Sequence, residues 1–303
     1  VTHTAHELDG VAVAQRLRAA IAHDAAAFTT QAGRPPGLGF VLVGDSPASA
    51  QYVRMKRRAC AEAGIATVAH ILPEAAAQDA VFAAVDALNA DPAVDGILVQ
   101  LPLPAHIDEV AVLRRVLLEK DADGIHPVNL GLLAQKGRTP LFTPATPTGC
   151  MVLLREAGAA IAGSTAVVLG RSSIVGMPAA LMLMREDATV TVCHSRTRDL
   201  PDILRRADIV IAAIGRPEWV KGSWLKPGAI VIDVGTNRID DPADPRGYRF
   251  VGDVERASAL PVVGALSRVP GGVGPLTITM LLDNTVTAAF RLLGTARPSA
   301  SRE

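Results

Sequence analysis

Tyr52 and Lys56 stand four residues apart in the stretch SAQYVRMKRRACAEAGIA, residues 49–66. On an α-helix that spacing puts a phenol hydroxyl and an ammonium group on one face. Such a pair suits proton transfer, with the phenol as acid and the lysine as its helper. The plain alternative is a solvated helix face, which fits Arg57 and Arg58 well. Lys56 differs because the aromatic hydroxyl one turn earlier follows a strand-end loop, where ligands gather in α/β sheets.

Other polar groups are placed to join them. Gln100 ends the run GILVQ and is followed by LPLP. Prolines cannot continue a central strand, so Gln100 belongs at the strand's carboxyl edge. Asp121 and Asp123 fall in the loop KDADG. Two close acids suit a metal ion, but no third and fourth ligand accompany them, so no metal is expected. One carboxylate is better used on an amidine-like heterocycle.

A second chemistry begins at VVLGRSSIVGMP. Gly170 follows an apolar strand directly, and Gly176 lies in the next helix. The spacing departs from Gly-x-Gly-x-x-Gly, yet the physics is that of a phosphate turn. Gly170 permits a tight strand-to-helix turn. Ser172 and Ser173 offer hydroxyls and backbone N–H groups near the positive end of a helix, and Gly176 permits close approach. An ordinary turn with serine caps is the competing reading. The next strand ends VCHSRT, with no carboxylate for a ribose 2′-hydroxyl. Ser195 and Arg196, with Arg171, suit a 2′-phosphate, so NADP is expected over NAD. The alternative is that these arginines are solvated surface charges. His194 receives no role.

The order of the two features matters. Short-chain dehydrogenases place the glycine-rich turn first and the Tyr/Lys pair far downstream. Here the pair comes first, so it belongs to another domain and is expected to face the cofactor across a cleft.

The elements that must hold these groups follow from pattern. Residues 7–27 read as a helix, and LGFVLVG as a buried strand. The Tyr52/Lys56 helix stops near Gly64. ATVAHILP reads as a strand, 76–90 as a helix and DGILVQLPLP as a strand. Strand–helix alternation implies a parallel sheet covered by helices. A Pro-, Gly- and Thr-rich boundary spans 120–150. A second series follows: strands STAVVLG, ATVTVCHS, DIVIAAIG and GAIVIDVG, with helices SSIVGMPAALMLMRE and RDLPDILRRA. This is a Rossmann-like pattern. Pro275 suits the first position of a closing helix.

Composition excludes several classes. The 303 residues are 49% hydrophobic and 20% charged, with zero formal net charge. No basic excess points to nucleic acid or a membrane surface. No uninterrupted apolar stretch reads as a bilayer span, and the first residues lack the form of a signal peptide. Cys60, Cys150 and Cys193 are odd in number and far apart, so they read as buried free thiols in a reducing compartment. The expected location is cytoplasmic.

YVRMK, DGILVQLPLP, KDADGIHPVNLG, GRSSIVGMP, GAIVIDVG and VPGGVGPLT together resemble the bifunctional methylenetetrahydrofolate dehydrogenase/methenyltetrahydrofolate cyclohydrolase family, over residues 7–295. The resemblance implies two α/β domains around a cleft: a folate-binding catalytic domain, 1–145 plus 275–295, and an NADP-binding Rossmann-like domain, 146–274. Residues 296–303 read as a disordered tail. It also implies a homodimer, tetrahydrofolate substrates and a place in one-carbon metabolism and purine biosynthesis. Lys56 is then the central acid/base group, Tyr52 stacks on or hydrogen-bonds the folate, Gln100 holds Lys56, and Asp123 binds the pterin. Val99, Leu101 and the loop Gly271, Gly272, Val273, Gly274 and Pro275 line the substrate. Gly170, Arg171, Ser172, Ser173, Gly176, Ser195, Arg196 and Thr236 contact NADP. The chain departs from the common pattern at Val11, Ala145 and Ser173, which bears on affinity and fine specificity. A monofunctional dehydrogenase and a non-catalytic folate- or nucleotide-binding regulator are the competing classes. No Gly-x-x-x-x-Gly-Lys-[Ser/Thr] loop supports ATP-driven synthesis.

Overall fold

A computed structural model describes residues 5–44 and 46–298, with residues 47–51 described by backbone alone. The first half of the chain runs β1 (His6–Leu8), α1 (Gly10–Ala32), β2 (Gly37–Val43), α2 (Pro47–Glu62), β3 (Ala66–Leu72), α3 (Gln78–Ala90), β4 (Gly96–Val99), α4 (Glu109–Arg115), α5 (Pro127–Leu133) and α6 (Ala145–Glu156). The second half runs β5 (Thr165–Leu169), α7 (Gly176–Arg185), β6 (Thr189–Cys193), α8 (Leu200–Leu204), β7 (Ile209–Ala212), β8 (Ile230–Asp233), β9 (Asn237–Asp240), β10 (Tyr248–Val251), α9 (Arg256–Ala259), β11 (Ala265–Ser267) and α10 (Val273–Leu293).

Two compact units result. One combines the chain through Ala14 with 146–277, and the other combines 15–145 with the chain from Ile278 onward. The opening residues therefore group differently from the expected 1–145 segment. The reason is β1, which sequence periodicity absorbed into a helix from residue 7. It pairs in parallel with β11, His6 opposite Ala265 and Leu8 opposite Ser267. The helix begins only at Gly10, where the Asp9 carboxylate accepts from the N–H groups of Val11 and Ala12.

In the unit containing 146–277, six parallel strands take the order β1-β11-β8-β7-β5-β6. The run IVIA is buried end to end and TAVVL from its second residue on, as expected of strands covered on both faces. The chain leaves β5 for β6 on one side and pairs β7 on the other. That reversal is the switch point at which doubly wound sheets bind ligands. Val167, Leu169, Val210, Val231 and Leu266 anchor its core. The antiparallel hairpin β9–β10 was not anticipated.

The unit containing 15–145 is built on a three-stranded parallel sheet, β3-β2-β4. Val81, Ala84, Val85 and Leu88 recur at helical spacing on α3 and pack with Val41, Ile97, Val99 and Val112. Buried Lys120 closes the C-terminus of α3, donating to the carbonyls of Leu88, Asn89 and Asp91.

Helix α10 corrects three expectations. It is long and apolar enough to cross a membrane by composition, but 72% of that window is buried inside the protein, as in a core helix. It starts at Val273, so Pro275 occupies its third position. A missing N–H costs nothing there, because the first turn's donors have no helical acceptor. The tail after it is also ordered through Arg297, whose Nε donates to Asp24 at 2.6 Å and whose Nη1 donates to Asp283 at 2.7 Å. The rest of the expected disordered tail, from residue 299, lies outside the described residues.

Candidate active site

Lys56 sits on α2 and Gln100 at the end of β4, within one unit. The Lys56 Nζ donates to Gln100 Oε1 at 3.1 Å. The amide is fixed from its other side, since Gln100 Nε2 donates to the Leu101 carbonyl at 2.7 Å. An amine and an ammonium both donate, so this contact survives either protonation state of the lysine. Lys56 is only 9% exposed. Burial lowers its pKa, and the nearby Asp123 carboxylate raises it in part. Asp123 mirrors this: desolvation raises its pKa and Lys56 lowers it. A desolvated amine and a desolvated acid with shifts of this kind are suited to proton exchange with a bound ligand. Cys60, one turn beyond Lys56, is a buried thiol pushed up to about 12 by desolvation, and Cys150 and Cys193 are also buried and free.

Tyr52 is 47% exposed one turn before Lys56, and its hydroxyl has no hydrogen-bond partner among the described residues. It offers a half-exposed ring. Val99, by contrast, points into the core, and Leu101 packs against the same cluster. Their backbone, not their side chains, is what they can offer a substrate.

The two acids of KDADG part company. Asp121 is buried and accepts from the N–H groups of Ile125 (3.2 Å) and His126 (2.8 Å) and from Asn129 Nδ2 (2.7 Å). Its carboxylate is committed to shaping the loop. The Asp123 carboxylate, desolvated as described, accepts no hydrogen bond among the described residues, and its backbone is pinned on both sides. Ala145 N donates to its carbonyl at 3.2 Å, and Asn284 Nδ2 on α10 donates to the carbonyls of Ala122 (2.9 Å) and Thr143 (3.1 Å). Gly124 takes φ +71°, and a Cβ there would lie 2.3 Å from the Thr143 carbonyl oxygen. Sequence reasoning missed Asn284 and Asn129. The signal was present for the first: the polar run Asp283, Asn284 and Thr285 interrupts a mostly apolar helix.

The phosphate turn lies in the other unit, after β5. Gly170 takes φ +107°, and a Cβ would meet the Ala213 carbonyl oxygen at 2.1 Å. Arg171, Ser172, Ser173 and Ile174 are exposed. Their backbone N–H groups find no acceptor among the described residues. Four open donors leading into α7, which begins at Gly176, form an anion cradle. The Ser172 hydroxyl has a structural duty as well, accepting from the N–H groups of Val175 (3.2 Å) and Gly176 (3.3 Å). Its proton remains available to a phosphate. Beyond β6, Ser195 and Arg196 are exposed, and His194 Nδ1 accepts from Arg196 N at 3.2 Å, shaping that turn. Thr236 is exposed beyond β8. The loop Gly271–Pro275 belongs to this unit too, with Gly272 and Val273 buried and Gly274 exposed.

Two family descriptions match the chain: the catalytic domain of tetrahydrofolate dehydrogenase/cyclohydrolase over residues 8–123, and its NAD(P)-binding domain over 144–292. Bifunctional protein FolD 2 of Arabidopsis thaliana is 51% identical over 292 residues, 96% of this chain and 98% of that protein. Bifunctional protein FolD of Pelobacter propionicus is 53% identical over 287 residues, 95% of this chain and 98% of that protein. The crystal structure of the Trypanosoma brucei methylenetetrahydrofolate dehydrogenase-cyclohydrolase, complexed with NADP and an inhibitor, superimposes with a TM-score of 0.92 at 45% identity, covering 96% of this chain and 99% of that one. Matched along nearly its whole length, the chain belongs to the tetrahydrofolate dehydrogenase/cyclohydrolase family.

Proposed function

We propose that the protein oxidises 5,10-methylenetetrahydrofolate with NADP and hydrolyses the resulting 5,10-methenyl cation to 10-formyltetrahydrofolate. The observation that carries this reading is Lys56, desolvated, bonded to Gln100 and electrostatically coupled to Asp123 within one unit. In the oxidation, a hydride leaves the bridging methylene carbon for nicotinamide C4, and the two flanking nitrogens stabilise the cation. No strong base is required, so the protein's part is positioning. Asp123 binds the pterin, and Tyr52 covers the folate ring system.

Hydrolysis adds water to the methenyl carbon and breaks one carbon–nitrogen bond. One proton leaves the water as it attacks, and another reaches the departing nitrogen. Lys56 in its amine form takes the first and as ammonium returns one to the nitrogen, while the remaining hydroxyl proton is lost to solvent as the formyl C=O forms, so one proton is released overall. A bound cation favours the amine form further, by like-charge repulsion.

The unshared N–H groups after Gly170 hold the pyrophosphate, and Ser195, Arg196 and Arg171 hold the 2′-phosphate, which supports NADP over NAD. Thr236 lies on the same edge. The proposal extends, by family resemblance, to a cytoplasmic homodimer supplying formyl groups for purine biosynthesis. Sedimentation at twice the chain mass checks the dimer.

One assay tests the central reading. Protein is mixed with methylenetetrahydrofolate and either NADP or NAD, and reduced cofactor and methenyl absorbance are followed separately. Faster reduction of NADP, with methenyl absorbance decaying enzymatically, is expected. No cofactor reduction, or methenyl accumulating without decay, refutes one half of the proposal or the other.

A further inference from the structure

The acid at the centre of the cofactor unit is Asp253, in the loop after β10, and it is fully buried. Its carboxylate accepts four hydrogen bonds. Oδ2 takes the N–H groups of Ile214 (2.6 Å) and Gly215 (3.0 Å), and Oδ1 takes the N–H of Arg216 (2.8 Å) and Asn237 Nδ2 (2.9 Å). A second buried acid fixes Asp253 itself. Asp233 Oδ1 accepts from Asp253 N and Asp233 Oδ2 from Val254 N, both at 2.9 Å. One carboxylate thus ties the loop after β7 to the start of β9.

The place of that loop gives the contact a use. β7 flanks β5 on the side opposite β6. With the 2′-phosphate end of a dinucleotide at β6 and its pyrophosphate at the Gly170 turn, the remaining half runs toward the carboxyl end of β7. Peptide planes are trans, so N–H groups drawn inward turn the opposite carbonyls, those of Ile214 and Gly215, outward. Neither carbonyl has a partner among the described residues. Outward acceptors match the hydroxyl and carboxamide donors of a nicotinamide riboside.

We infer that Asp253 is a positioning residue for the nicotinamide half of the cofactor, acting through the carbonyls of Ile214 and Gly215. The inference rests on the NADP reading above and goes beyond it in separating the two halves of the ligand.

The test is calorimetric titration of the full chain with NADP and with adenosine 2′,5′-bisphosphate, which carries only the adenosine half. In Asp253→Asn an amide N–H2 faces backbone donors, so the loop shifts. NADP affinity is expected to fall about tenfold or more, the scale of a lost charged hydrogen bond. Bisphosphate affinity stays within about twofold. Asn237→Ala, which removes one donor and leaves the carboxylate in place, shows a smaller loss in the same direction and carries the comparison if Asp253→Asn does not fold. Equal loss for both ligands, or none for either, overturns the inference. A wild-type chain that binds neither ligand overturns the NADP reading itself.

Discussion

At the scale of single residues, the proposed chemistry turns on Lys56. A group whose pKa is depressed below the ordinary lysine value of 10.5 becomes an available base at lower pH. Cyclohydrolase activity should therefore rise with pH through an ionisation lying below that value. Lys56→Met should lower cyclohydrolase activity by about a hundredfold or more, the usual worth of a general acid–base group, while dehydrogenase activity falls less. Lys56→Arg should not rescue hydrolysis, because a guanidinium does not surrender its proton. Both activities measured on one folded preparation decide this. Equal retention of the two removes Lys56 from the hydrolytic step. The pair Tyr52 and Lys56 first suggested a shared catalytic device, but the structure separates their settings into one exposed ring and one buried amine.

At the scale of elements, loops are held by groups remote in sequence. The Asp123 loop depends on Gly124, where a side chain would combine a left-handed φ with a collision against the Thr143 carbonyl. Gly124→Ala should cost about 2 kcal/mol or more. A urea midpoint that does not move would show that the loop relaxes freely. The carboxyl edge of the other sheet holds Asp233, which burial pushes up from 3.8 to about 7. Between those values the folded chain keeps a proton that the unfolded chain has lost. Unfolding free energy therefore falls as pH rises through that window, by an amount on the order of a few kcal/mol. Asp233→Asn should make that slope shallower in urea unfolding between pH 4 and 8, whatever it does to absolute stability. An unchanged slope would mean Asp233 does not titrate there.

At the largest scale, the C-terminal segment ties together distant parts of the unit that contains residues 15–145. Arg297 reaches Asp24 on α1 and Asp283 on α10, two carboxylates almost without exposure. Removing the cation from buried acids is far more costly than losing a surface pair, about 3 kcal/mol or more. Arg297→Ala is therefore expected to lower the unfolding midpoint clearly. Deletion of the residues after 298 should leave that contact intact. If the two variants melt alike, the contact carries no stability.

The sequence by itself determined what local pattern can encode. Continuous apolar runs specified buried parallel strands, a proline-bounded run specified the edge at Gln100, and the missing acid after β6 is what the proposed preference for NADP rests on. Those signals lie within a few residues of one another, so no knowledge of distant contacts is needed to read them. Tertiary structure decided the rest. β1 is three residues long, too short to show a period, and exists only because β11 offers it an edge. Asp121 and Asp123 have the same composition and neighbourhood, and only the donors of Ile125, His126 and Asn129 reserve the first for the loop and release the second for a ligand. Asp253 carries no local motif for its task. Its partners lie 16 to 39 residues away, and folding alone brings their N–H groups to one carboxylate.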